Sequence, residues 1–229
     1  MITTPLSTRQ LRRLVIGRVL AGVLVTGAML FLPAGTLLYW EAWAFMVILF
    51  IPMSVFAAYL LRYNPALLER RLKTREGEPQ QRRIVAVSTV VLFATFLLPG
   101  FDKRFGWSSV PVWLVIAADV VVLLGYLLFV LTLRENEYAS RTVEVEQQQQ
   151  VITTGPYSLV RHPLYLASLL IFGFSPLALG SYWALIPVAL YPAVLVARIL
   201  NEEKVLLREL DGYADYCKVV RYRLIPRIW

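Results

Sequence analysis

Apolar residues in this chain come in long runs broken by polar connections, not at the helical or alternating spacing of a soluble domain. A bilayer core about 30 Å thick takes about 20 apolar residues at helical rise. Six runs approach that length: 14–32, 42–61, 84–101, 110–133, 164–179 and 182–200. Only Gly180 and Ser181 separate the last two, so they predict a tight helical hairpin, and the fifth run is short. The pattern predicts an all-α, polytopic membrane protein with about six transmembrane helices. The first run follows an arginine-containing tail, is long enough to span, and has no small-residue cleavage pattern. It reads as a span and not as a cleaved signal peptide.

The polar connections assign the sides. Of 23 lysines and arginines, 21 fall on alternate connections: the tail up to Arg18, 62–83, 134–163, and Arg198 onward. The other connections hold only Lys103 and Arg104. Basic residues favour the cytoplasmic side, so both termini and the stretch around His162 are expected there.

Composition agrees with the runs. Of 229 residues, 58% are apolar and 17% charged, with mean hydropathy +0.62. Soluble domains are nearer half apolar and a quarter charged. The net charge of +8 does not indicate nucleic acid, because the basic residues lie between apolar runs. A single cysteine, Cys217, excludes an internal disulfide. A single histidine, His162, removes the usual zinc and di-metal patterns.

Several residues interrupt the apolar runs. Pro52, Pro176, Pro187 and Pro192 predict kinks or breaks. Asp119 lies near the middle of the fourth run, where a carboxylate is costly. It is expected to pair with a hydroxyl or tryptophan N–H of a neighbouring helix. The connection at 64–83 predicts a short helix with Leu67, Leu68 and Leu72 on one side and basic residues toward anionic headgroups.

The connection at 134–163 is long for a turn. It contains TVEVE (142–146), an expected extended piece, then a four-glutamine spacer, then VITTGPYSLVRHPLYL. Gly155-Pro156 marks a turn. His162-Pro163 places a helix start at Pro163. The free N–H groups there, beside Arg161 and His162, suit an anion. At the end of the sixth run, RILNEE puts Arg198 and Glu202 on one helix face. Glu202 and Glu203 read either as an ordinary solvated face or as partners for a cationic ligand. The hairpin returns NEE toward RHP, which favours the second.

GPYSLVRHPLYL, a hairpin of about 35 residues, NEE, and then YADYCKVVRYRLIPRIW together resemble the isoprenylcysteine carboxyl methyltransferase family. Phospholipid methyltransferases share the RHP-x-Y and paired-glutamate arrangement. The resemblance covers 136–229. It implies one integral membrane domain over 1–229, with 1–133 of unassigned role and 134–229 methyltransferase-like. It implies S-adenosylmethionine held in a cytosolic C-terminal site without a Rossmann domain. The chain has no GxGxxG after a strand. By carry-over, Gly155, Tyr157, Val160, His162, Pro163 and Tyr165 line the cofactor pocket, and Glu202 and Glu203 complete it. Arg161, Arg198 and Glu202 are the candidate catalytic residues. His162 is a cofactor contact in this reading, with turn capping and general base as alternatives. The acceptor is lipid-like or prenylated, and membrane lipids are the surroundings. LDGYADY lacks the Phe-Gly pair of the eukaryotic enzymes, a departure that bears on the acceptor and not on the cofactor.

Two other readings share some of these residues. Membrane sterol reductases end in a segment similar to YCKVVRYRLIP and carry an RHP-type motif with a nicotinamide cofactor. A non-enzymatic membrane scaffold protein is the other.

Overall fold

The computed structural model describes residues 6–72, 79–140, 142 and 149–229. Among these the chain is helical, with no strand. The extended piece expected at 142–146 lies outside the described residues except for Thr142, and so does the first half of the glutamine run.

Helix α1 (Thr8–Ala34) starts at a capping box, with Ser7 and Gln10 bonding reciprocally, and ends at Gly35. Helix α2 (Trp40–Tyr63) follows, and Asn64 then caps the amphipathic α3 (Pro65–Leu72) by accepting from the Leu67 N–H at 3.0 Å. Helices α4 (Pro79–Phe105) and α5 (Val112–Glu135) complete the first part. A 3-10 turn (Gly155–Ser158) leads to α6 (Pro163–Ala178). After the hairpin come α7 (Leu185–Val188), α8 (Tyr191–Glu209) and α9 (Tyr213–Val219).

Five helical stretches are long and apolar enough to cross a membrane: α1, α2, α4, α5 and Leu185–Glu209. Outward-facing Leu24, Leu32 and Val90 are largely exposed. In water that surface would be a severe liability; in lipid it is the natural exterior. The protein is an integral membrane protein. Helix α6 has 16 residues, a length of about 24 Å that falls short of a bilayer core. The expected sixth run is broken between α7 and α8, with Pro187 before the break and Pro192 after it. Its second part continues past residue 200 to Glu209.

Two close packings set the frame. Helix α5 lies along α6 over a long interface. A Cβ on Gly125 would come within 2.9 Å of Leu170 Cβ and 3.1 Å of the Ala167 carbonyl oxygen, so only glycine allows this approach. At the end far from the RHP corner, the buried Asp102 accepts from the Ser108 N–H and hydroxyl, each at 2.6 Å, and from the Ser181 hydroxyl. This ties the α4–α5 connection to the hairpin tip.

Two expectations are corrected. Asp119 is buried, but its Oδ1 has no hydrogen-bond partner; its helix packs into an apolar cluster with Ala118, Val122 and Ile171. Arg70 and Arg71 of α3 do more than face headgroups. They donate to the Glu137 and Ser140 carbonyls at 2.8 and 3.1 Å, fastening α3 over the connection after α5.

Candidate active site

His162 caps α6, and Pro163 occupies its first turn. The C-terminal tail runs beside this corner. The Arg161 and His162 N–H groups donate to the Tyr222 and Arg223 carbonyls, both at 2.9 Å. The Arg161 guanidinium donates from Nη1 to the Val220 and Arg221 carbonyls at 3.1 and 3.2 Å. From Nε it donates to Glu203 Oε1 at 2.8 Å. His162 Nε2 lies 3.3 Å from the same oxygen, and Arg223 Nε donates to Oε2 at 2.7 Å. Arg161, His162 and Glu203 are all buried. One carboxylate is thus ringed by two guanidiniums and an imidazole.

Glu202 is the next residue back, and a helix turns about 100° per residue. Glu202 therefore faces another way. Its Oε2 accepts from the Tyr165 hydroxyl, and that hydroxyl accepts from Arg198 Nε at 2.9 Å. The Arg198 guanidinium also lies 5.6 Å from the Tyr165 ring centroid. Arg198 and Glu202 share a face, as their spacing requires, with Tyr165 as the link between them.

A cavity of about 550 Å³ opens on these groups. Its polar chamber is lined by Asn136, Tyr157, His162, Glu202, Tyr213 and Tyr216, with Arg161 and Arg198 on the wall. Between the helices the cavity continues as a mostly apolar arm lined by Leu49, Met53, Leu92, Ile171, Phe172 and Leu195, with Ser88, Thr89 and Ser168 among them. The Tyr157 hydroxyl accepts from Asn136 Nδ2 at 2.9 Å, and its carbonyl accepts from the Tyr216 hydroxyl at 2.6 Å. Burial pushes the Tyr157 phenol up to about 12 against the lowering effect of that amide. Burial likewise raises the Tyr213 and Tyr216 phenols. All three stay protonated near neutrality. The buried Tyr213 hydroxyl lies beside the Cys217 thiol.

Of the residues singled out in the sequence, Tyr157, Arg161, His162, Tyr165, Arg198 and Glu202 meet on this one wall. Gly155, Val160, Pro163 and Glu203 are not among its lining residues. Gly155 makes the turn, at φ +57, with the Glu135 side chain packed against it. Val160 and Pro163 are buried. Glu203 sits behind the wall and holds the cations together. The anion site expected at the RHP corner is largely used by the chain itself, since tail carbonyls and Glu203 occupy the donors of Arg161 and the His162 N–H.

The sequence reading missed Asn136, Tyr213 and Tyr216. The i, i+3 tyrosines of YADYC were the available signal. It also missed the α2 and α4 wall, because an apolar residue facing a cavity and one facing lipid are the same letter.

Residues 113–208 match the isoprenylcysteine carboxyl methyltransferase (ICMT) family. No curated protein matches the chain. The segment runs from α5 almost to the end of α8 and includes both RHPLY and NEE. The description of that family names carboxyl methylation of isoprenylcysteine. The matched residues carry most of the polar wall. Leu49, Met53, Arg71 and Leu92 come from outside the match, as do Tyr213 and Tyr216.

Proposed function

We propose that this protein transfers a methyl group from S-adenosylmethionine to a lipid-like acceptor, with a carboxylate of an isoprenylcysteine-type molecule as the preferred class. The observation that carries this reading is a cavity that joins a polar, tyrosine-lined chamber to a mostly apolar arm between the helices. A methyl donor and a lipid tail need these two environments, and they need them adjacent.

The residues present fit the donor. It brings an electrophilic methyl on a cationic sulfur, along with an ammonium, a carboxylate and an adenosine. Glu202 offers a carboxylate to its cationic groups, and the rings of Tyr157, Tyr213 and Tyr216 suit cations and flat bases. The protonated phenols of Tyr157, Tyr213 and Tyr216 supply hydrogen-bond donors to the chamber. Tyr165 and Arg198 stand between chamber and arm, where Arg198 orients an acceptor carboxylate. Such an acceptor needs no base, only alignment and exclusion of water. Glu203 and His162 then act mainly by fixing the corner.

The proposed topology has six crossings, with both termini, the RHP corner and the cofactor chamber in the cytosol. The distribution of basic residues supports it. In this arrangement α6 crosses as one arm of the hairpin, helped by the polar tip at Ser181. Reporters fused after Trp229 and at Ser181 should mark opposite sides, and agreement between them would remove the sixth crossing.

The functional test uses purified protein in detergent. S-adenosylmethionine should raise its melting temperature, because a ligand stabilises the state it binds. Glu202→Gln should weaken that effect by about tenfold in apparent Kd, or about 1.4 kcal/mol. Stabilisation by a reduced nicotinamide cofactor, with none by S-adenosylmethionine, would overturn the reading in favour of a reductase.

A further inference from the structure

The apolar arm has a floor. The lining residues farthest along their helices from the RHP corner are Leu49 on α2, Leu92 on α4, Tyr126 on α5, Phe172 on α6 and Tyr191 on α8. The Tyr191 and Phe172 rings meet edge to face with centroids 5.7 Å apart. Phe172 meets Phe96 of α4 in the same way at 6.3 Å, and Phe96 meets Phe45 of α2 in a tilted contact, 45° between the planes, at 5.8 Å. Four of the five long helices that line the cavity, α2, α4, α6 and α8, each contribute one ring to a continuous row. Edge-to-face contacts at these distances are favourable. Phe45 and Tyr191 are buried, so the row is held at both ends.

The helices agree on the depth. From Tyr165 to Phe172 along α6, and from Arg198 back to Tyr191 along α8, the distance is about two turns, or about 10 Å. Along α4, Val85 to Leu92 gives the same interval. Tyr165 and Arg198 mark the level where chamber and arm join. Carbon–carbon bonds of about 1.5 Å advance a zigzag chain by roughly 1.25 Å per carbon, so about eight chain carbons reach the floor.

We propose that the Phe45–Phe96–Phe172–Tyr191 row gauges the acceptor's tail, accepting a hydrocarbon of about eight chain carbons, the length of two isoprene units. The inference rests on the lipid-like acceptor read above. A longer tail must displace a ring wedged between helices, and packed interiors resist added carbons. Phe96 does not line the cavity; it lies one turn beyond Leu92, so shortening it deepens the arm without changing the wall around the reacting groups.

The test measures binding of N-acetyl-S-prenylcysteines with two, three and four isoprene units to the full-length protein in detergent, read as melting-temperature shifts. The two-unit compound should bind about tenfold tighter than the three-unit one. Phe96→Ala should move the preference to three units. Phe96→Leu should do so partly, and it serves if the alanine variant does not fold. Equal binding of all three compounds, affinity that simply climbs with length, binding of none, or an unchanged preference in both variants would overturn the gauge. A parallel assay with methyl-labelled S-adenosylmethionine separates the two readings. A length preference in binding without label transfer leaves the gauge standing and removes methyl transfer. Equal label transfer to all lengths does the reverse.

Discussion

The two ends of the bundle each bury a carboxylate, and they satisfy it differently. At the hairpin tip, Asp102 is held by an amide and two serine hydroxyls, all neutral donors from neighbouring connections. At the RHP corner, Glu203 is held by two guanidiniums and an imidazole from α6, the corner and the tail. The first arrangement ties two turns together. The second also brings cations to the wall of a cavity, where Arg161 and His162 face both the carboxylate and the open space. A buried ion cluster is a poor device for stability alone, because desolvation offsets most of the attraction. At the RHP corner that cluster borders the cavity, which is why the proposed chemistry is assigned to that end.

Breaking each end separately tests this difference. Glu203→Gln should have the largest effect, about 3–5 kcal/mol of stability, because it leaves buried cations without their counter-charge. Thermal unfolding in detergent reads it, and donor binding should fall at the same time. A loss below about 1 kcal/mol would place the corner no higher than a surface pair. Asp102→Ala should cost less, about 1–3 kcal/mol, for the buried Ser181 hydroxyl and its neighbours left without an acceptor. It should leave donor binding unchanged; weakened donor binding would mean that the two ends are not separable. Glu202→Gln should alter melting temperature little, since the residue is partly exposed and bonded to one phenol. Its effect belongs to donor binding, so a large loss of stability would erase the contrast between the adjacent glutamates.

The smallest effect is on pH dependence. The Tyr157 phenol titrates near 12 in the folded chain against an ordinary 10. The unfolded chain therefore releases this proton first, and the contribution is intact below about pH 10 and lost as pH rises toward about 12. Tyr157→Phe should flatten that alkaline decline in stability. An unchanged alkaline slope would show that the hydroxyl is not held as Asn136 and burial require.

The comparison between Glu202 and Glu203 also shows how far the sequence could be read. NEE at the end of an apolar run, and RHP at the start of another, were visible as chemistry in the wrong place for a lipid-facing helix. Their convergence followed from Gly180-Ser181 and the hairpin. Which glutamate faces the cavity was not visible, because that depends on the rotation of α8 against α6. The tail's part was hidden for a similar reason: Arg223 lies 20 residues from Glu203, and nothing local announces the pairing.

Composition and run length alone determined that this chain lives in a membrane, that it is helical, and where its connections fall, because a bilayer requires every spanning backbone group to bond within its own segment. Motif spacing alone placed the histidine corner and the paired acids in one neighbourhood. Tertiary packing decided the rest: that one acid stands behind the wall and one on it, that α2 and α4 help to line the cavity, and that Phe45, Phe96, Phe172 and Tyr191 form one row of rings. Those outcomes depend on helix rotation and on contacts between distant segments, to which a one-dimensional pattern of apolar letters is blind.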